Sequence, residues 1–196
     1  MSDMLNIAIA GLGTVGTGTL QLLDRQGGLL AERALQPLRV VAVADLDTGR
    51  DRGVDLGKIS CFDDALQMVA ETDVDVVVEL IGGSEGIARE VCEAAIAKGR
   101  HVITANKALL AHHGIEIAAQ AEKAGVVLAY EAAVVGSVPI IKALREGLAG
   151  NRIARITGIL NGTCNYILSA MRATGKEFDE VLAEAQSLGY AEADPS

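Results

Sequence analysis

The chain has 196 residues, of which 50% are hydrophobic and only 3% aromatic, and its 17 basic and 26 acidic residues give a net charge of −9. That length allows one full domain and part of a second, and the negative balance argues against non-specific nucleic-acid binding and against docking on an anionic membrane. Met1-Ser2-Asp3-Met4 has no basic stretch leading into an apolar run, and the apolar segments 76–78 and 126–135 are too short or too broken to cross a bilayer. The three cysteines, Cys61, Cys92 and Cys164, lack metal-ligand spacing, so reduced thiols in a cytoplasm are expected.

Leu5 to Ala10 reads as a first strand, followed by a glycine-rich turn and a helix from Thr14 to Arg25. Residues 26–37, with Gly27-Gly28 and Pro37, read as an excursion after that helix. Leu38 to Ala44 is a second strand, 45–60 a charged loop, and Asp63 to Ala70 a short helix with Asp63 or Asp64 near its N-cap. Val74 to Ile81, centred on Val76-Val77-Val78, is the most buried-looking strand, and Gly82-Gly83-Ser84 ends it. A helix over 86–98 closes at Gly99. His101 to Thr104 is a strand, 107–124 is helical in one or two pieces, and Val126 to Tyr130 is a further strand. Strands alternating with helices predict an α/β domain over 1–135, a doubly wound parallel sheet with right-handed crossovers.

Beyond Glu131 the pattern changes. Ser137 is placed to cap a helix that tolerates Pro139 in its first turn and sets Ile140, Leu144 and Leu148 on one face. Arg152 to Leu160 reads as a strand. Cys164, Ile167, Leu168 and Met171 share a helical face, as do Phe178, Val181, Leu182 and Ala185, with Gly189 as the stop. Residues 136–196 are thus expected to begin a second, incomplete α+β domain.

Gly11-x-Gly13-x-x-Gly16 falls between the first strand and the first helix. In that setting the first glycine permits the tight turn, the second lets backbone approach a pyrophosphate, and the third lets helix and strand pack closely. The helix start, from Thr14 and Val15, offers free N–H groups and the positive end of the dipole. Asp45, at the end of the second strand, suits a ribose diol or else caps its own turn. Arg50, Arg52 and Lys58 follow it and could neutralise a 2′-phosphate, which leaves NAD and NADP both open.

Four runs carry a family resemblance: Thr104-Ala105-Asn106-Lys107; Tyr130 to Lys142; Gly158-Ile159-Leu160-Asn161-Gly162-Thr163-Cys164-Asn165-Tyr166-Ile167; and Leu188-Gly189-Tyr190-Ala191-Glu192-Ala193-Asp194-Pro195. Together they closely resemble homoserine dehydrogenase, from Ile7 to Pro195. The resemblance implies a Rossmann-like cofactor domain followed by part of a catalytic and dimerisation domain. It also implies NAD(P)-dependent interconversion of homoserine and aspartate semialdehyde, and a homodimer.

The resemblance places Lys107 at the active site, where a partly desolvated lysine exchanges a proton with the reacting oxygen. A solvated lysine at a helix start is the plainer alternative, opposed by the dipole. Gly82, Gly83, Ser84 and Thr104 are implied to lie against the cofactor. Glu131 and the backbone carbonyls of Val134, Gly136 and Val138 are implied to hold a monovalent cation such as Na+, an oxygen-only set that suits a hard ion; a hinge glutamate paired with a base is the alternative. Ser137-Val138 stands where the family has Gly-Ile, and the added bulk could disturb that loop. Glu192 is implied to receive the substrate ammonium, with Asp194 as a second acid of the same kind. The family continues past Asp194-Pro195 with further acidic residues and a second lysine, so this chain is expected to keep cofactor binding and lose much turnover. Two rivals remain: a dinucleotide-binding sensor or partner subunit without catalysis, and another semialdehyde dehydrogenase. The second needs a cysteine nucleophile, whereas Cys164 reads as core. His112 and His113 read as residues ending a helix.

Overall fold

A computed structural model describes residues 4–159, 162–188 and 191. They divide into two compact units, Met1–Ala149 and Gly150–Ser196.

The first unit contains strands β1 (Leu5–Ala10), β2 (Leu38–Ala44), β3 (Ser60–Phe62), β4 (Val76–Glu79), β5 (His101–Thr104) and β6 (Leu128–Ala129). All pair in parallel in the order β3-β2-β1-β4-β5-β6. The helices between them are α1 (Thr14–Ala34), α2 (Ala65–Glu71), α3 (Ile87–Ala97) and α4 (Lys107–Ala124). The side-chain period of two sorts each strand between two faces. Ala8, Ala10, Ala42, Ala44 and Val77 pack with residues of α2, α3 and α4, whereas Ile7, Ile9, Val43, Val76 and Val78 pack with Leu20 and Leu23 of α1. Small alanines on the first face let helices approach closely. The larger isoleucines fill the second, where a single helix and the 54–59 loop give cover.

Several boundaries differ from the sequence reading. Helix α1 runs through Gly27-Gly28 to Ala34, where an excursion was expected. Each helical glycine costs about 1 kcal/mol relative to alanine, and the helix-favouring residues Leu29 to Ala34 continue the ladder. It ends at Leu35, with φ 57° and 92% exposed. Strand β3 falls at the end of the charged loop; it is a three-residue edge strand with no hydrophobic run to announce it. β4 and β6 are shorter than their apolar segments, and α4 is one helix, capped by Asn106 and ended by Gly125. His112 and His113 therefore lie inside α4. Asp64, not Asp63, caps α2, its side chain accepting from the N–H groups of Leu66 and Gln67.

The first unit ends in α5 (Glu131–Val134) and α6 (Ile140–Lys142), the latter running into a π-helical turn, Ala143–Gly147. Ser137 does not cap α6. It adopts φ 67°, and the Glu131 carboxylate accepts the N–H groups of Ile141 at 2.8 Å and Lys142 at 3.0 Å instead.

In the second unit, α7 (Gly162–Thr174) and α8 (Phe178–Ser187) bury Ile167, Val181 and Ala185 against each other. Cys164 is exposed, not core. The strand expected from Arg152 to Leu160 does not form over 152–159: these residues pair with no strand among the described residues, and Ile156 and Ile159 are 64% and 75% exposed. Leu160, Asn161 and Gly189 lie outside the described residues. No described helix is long and apolar enough to cross a membrane.

Candidate functional site

Register fixes the rim of the sheet. Ala44 pairs with Ala10, Ala10 with Glu79, and Glu79 with Thr104. The residues that follow these four therefore leave the sheet on one edge, the carboxyl edge where open parallel sheets bind ligands. Gly11–Gly16, Asp45, Gly82-Gly83-Ser84 and Lys107 all follow that edge. Between β1 and β4, where the strand order reverses, lies a cleft of about 310 Å³ lined in part by Gly11, Gly13, Asp45, Leu46 and Ile81. A second depression, of about 480 Å³, sits against Leu38, Arg39 and Val40 at the opposite end of β2 and adds nothing to this rim.

The three motif glycines divide their work. Gly11 has φ 98°, and a Cβ there would lie 2.6 Å from the Leu80 carbonyl oxygen. A Cβ on Gly16 would lie 1.9 Å from the Gly11 carbonyl oxygen, so α1 packs on the turn only through a bare α-carbon. A Cβ on Gly13 would meet nothing within 4 Å. Gly13 is also the N-cap of α1, and no side chain caps that end. The first-turn N–H groups thus face an open approach, the arrangement that receives a phosphate.

Asp45 builds this turn. One carboxylate oxygen accepts the Leu12 N–H at 2.7 Å; the other accepts the Asp47 N–H at 3.0 Å and pairs with Arg52 at 2.8 Å. Partial burial pushes its pKa up. The N–H groups of Asp47 and Leu12 and the charges of Arg52 and Arg50 outweigh that effect, and the carboxyl titrates below its ordinary value. Arg52 also donates to the Leu12 carbonyl at 2.8 Å and the Asp47 carbonyl at 2.6 Å. Arg50 and Lys58 remain exposed.

The other half of the rim is held differently. Glu79 is wholly buried at the end of β4. Its carboxylate accepts the N–H groups of Ile81 at 2.8 Å and Gly82 at 3.2 Å, and the Thr104 hydroxyl at 2.5 Å. Asn106 caps α4 through the Leu109 N–H at 3.0 Å and donates to the Gly83 carbonyl at 2.6 Å. Lys107 is the first residue of α4 and is exposed, so the described residues do not supply the partial desolvation expected for it. Sequence reading missed Glu79 and Asn106. An acid closing an otherwise apolar strand just before Gly82-Gly83 was the available signal for the first, and an asparagine preceding a helix for the second. His113 pairs with Glu85 at 2.5 Å and contacts Arg89, joining α4 to the start of α3.

Glu131 opens α5, near Val134, Gly136 and Val138 in sequence. Among the described residues no three His, Cys, Asp or Glu side chains cluster to hold a metal. Glu192 and Asp194 lie outside the described residues.

An all-parallel sheet in this strand order, with an uncapped helix start over its switch point, defines a dinucleotide-binding domain of the Rossmann type. Comparison with known families agrees: residues 11–131 match the homoserine dehydrogenase NAD binding domain, and residues 139–196 match homoserine dehydrogenase. The chain belongs to the homoserine dehydrogenase family. It is 50% identical to the homoserine dehydrogenase of Neisseria gonorrhoeae over 192 residues, covering 98% of this chain and 44% of that protein. The crystal structure of a homoserine dehydrogenase from Thiobacillus denitrificans superposes with a TM-score of 0.87 at 49% identity, over 98% of this chain and 44% of that one. A hyperthermophilic archaeal homoserine dehydrogenase in complex with NADPH gives 0.81 at 27% identity, over 98% and 64%. The chain spans less than half the length of the curated relative.

Proposed function

We propose that this chain binds NAD(P) along the carboxyl rim and forms the cofactor side of an enzyme that interconverts homoserine and aspartate 4-semialdehyde. The observation that carries this reading is the open start of α1 at Gly13, on the same rim as Lys107. When bound, the nicotinamide supplies or accepts the hydride at the terminal carbon of the amino acid. The N–H groups of Thr14, Val15 and Gly16 receive the pyrophosphate, and Asp45 with Arg50 borders the adenosine ribose. Gly82, Gly83, Ser84 and Thr104 border the nicotinamide half, and Lys107 exchanges the proton with the reacting oxygen.

Glu192, with Asp194, orients the substrate ammonium. Glu131 and the carbonyls of Val134, Gly136 and Val138 are an all-oxygen set fitting a monovalent cation; each Glu131 oxygen has accepted one N–H and retains a lone pair. The working form is a cytoplasmic homodimer, with cofactor binding assigned to 1–135 and the substrate and dimer domain beginning at 136–196.

Fluorescence titration of this chain with NADH and NADPH, with and without homoserine, tests the binding half. Saturable binding of at least one dinucleotide is expected, and binding of neither overturns the reading. In an enzyme of the family's full length, Lys107→Ala is expected to lower turnover by about 10²–10⁴ with NAD(P)H affinity retained. Unchanged turnover removes Lys107 from proton transfer.

A further inference from the structure

We propose that Glu79 is a positioning residue, a buried strut that sets the nicotinamide-side loop and the start of α4 relative to each other. The inference rests on the dinucleotide reading above and assigns a role to a residue that does not touch the cofactor.

A carboxylate in an apolar strand is costly to bury unless its oxygens are fully used. Here they are used on the loop and not on packing. One oxygen gathers the N–H groups of Ile81 and Gly82, and the other takes the Thr104 hydroxyl. The Thr104 oxygen in turn accepts the Asn106 N–H at 3.0 Å. The Asn106 side chain returns to the Gly83 carbonyl, at 2.6 Å. The ring of hydrogen bonds therefore closes: Glu79, the 81–83 loop, Asn106, Thr104 and back to Glu79.

The loop needs such a holder. Gly82 and Gly83 have φ 89° and 83°, and a Cβ on Gly82 would meet nothing within 4 Å, so side-chain packing does not shape it. Lys107 directly follows Asn106, the member of the ring that caps α4. Fixing Glu79 thus fixes both the loop proposed to face the nicotinamide and the helix start that carries the lysine. The turn that would hold the adenosine half is organised separately, by Asp45 and Arg52.

That separation supplies the test. Glu79→Gln keeps the shape, but its amide accepts on one side only: with its oxygen on the loop its NH2 donates to the Thr104 oxygen, the Thr104 hydroxyl proton loses its acceptor, and both ties lose the strength that the carboxylate charge gives them. Affinities of the variant chain are measured for NADH and for ADP-ribose, which lacks the nicotinamide, and for the 2′-phosphorylated pair if NADPH is preferred. The expected result is about a tenfold loss for the complete dinucleotide, with ADP-ribose within about twofold of wild type. Thr104→Val should reproduce that difference, and Thr104→Ser, which keeps the hydroxyl, should show less of it than Thr104→Val. If Glu79→Gln fails to fold, the Thr104 pair carries the test. Equal losses for both ligands, or no loss for either, overturn the strut. Wild-type chain that binds neither ligand overturns the dinucleotide reading itself, and the strut with it.

Discussion

The two compact units answer the same kind of sequence signal in different ways. In the first, Leu5–Ala10 and Leu38–Ala44 alternate or run apolar and become strands, because each has parallel neighbours within the chain. In the second, Arg152 to Ile159 carries an equally plausible strand pattern and pairs with no strand among the described residues. The helices of that unit form regardless. A helix satisfies its backbone from within, whereas a strand satisfies its backbone only from a neighbour. An α/β pattern is therefore realised first in its helices, and in its strands only where the pairing partners are present.

Hydrogen exchange on this chain would sharpen or break the contrast. The amides of Ala8 to Ala10 are expected to exchange at least about 10³ times more slowly than those of 152–159. Similar rates would mean that the second segment has found a partner. The next effect in size concerns the turn that ties the first unit together. Gly16→Ala places a methyl group where the Gly11 carbonyl oxygen sits, at 1.9 Å, and both groups are held by backbone. A loss of about 3 kcal/mol in urea-induced unfolding of the first unit is expected, with dinucleotide binding abolished; a stable, binding-competent variant would show that α1 does not pack on the turn as described.

A smaller effect comes from Asp45. Its pKa is lowered in the folded chain from an ordinary 3.8, so the unfolded chain binds the proton more readily and stability rises with pH through that range. Stabilisation is complete above about pH 4 and is lost as pH falls through the lower, folded value. Asp45→Asn is expected to cost about 2 kcal/mol at neutral pH, with the gap in unfolding midpoint narrowing as pH drops towards 3 and below. A gap independent of pH would assign the loss to shape alone. The smallest effect lies at Leu35, a non-glycine residue at φ 57° whose side chain is 92% exposed. Leu35→Gly should raise stability by about 1 kcal/mol, since the left-handed conformation costs glycine nothing. Destabilisation there would mean the exposed side chain has a partner.

Much of the rim was legible in advance. The glycine spacing, the strand before it and the helix after it marked the tight turn now proposed to seat the phosphates, and the parallel alternation implied that Lys107 would share its edge. The reading of Asp45 was half complete: its place at the end of β2 was visible, but its tie to the Leu12 N–H spans 33 positions and needs coordinates. Glu79 went unread because an acid in an apolar strand shows its use only when Thr104, brought beside it by the β4–β5 register, supplies the donor. The Glu131 carboxylate likewise spans ten residues to cap α6, where Ser137 had offered the nearer, local solution.

Local chemistry settled what depends on one segment at a time: where the helices between the parallel strands begin, where glycine is obligatory, and which strands are apolar enough to be central. These follow from backbone sterics and side-chain period, which the order of residues contains. Tertiary structure decided which polar groups meet. Hydrogen bonds between distant segments depend on register and strand order, and a carboxylate looks the same in sequence whether it caps a helix, ties down a turn or holds a loop.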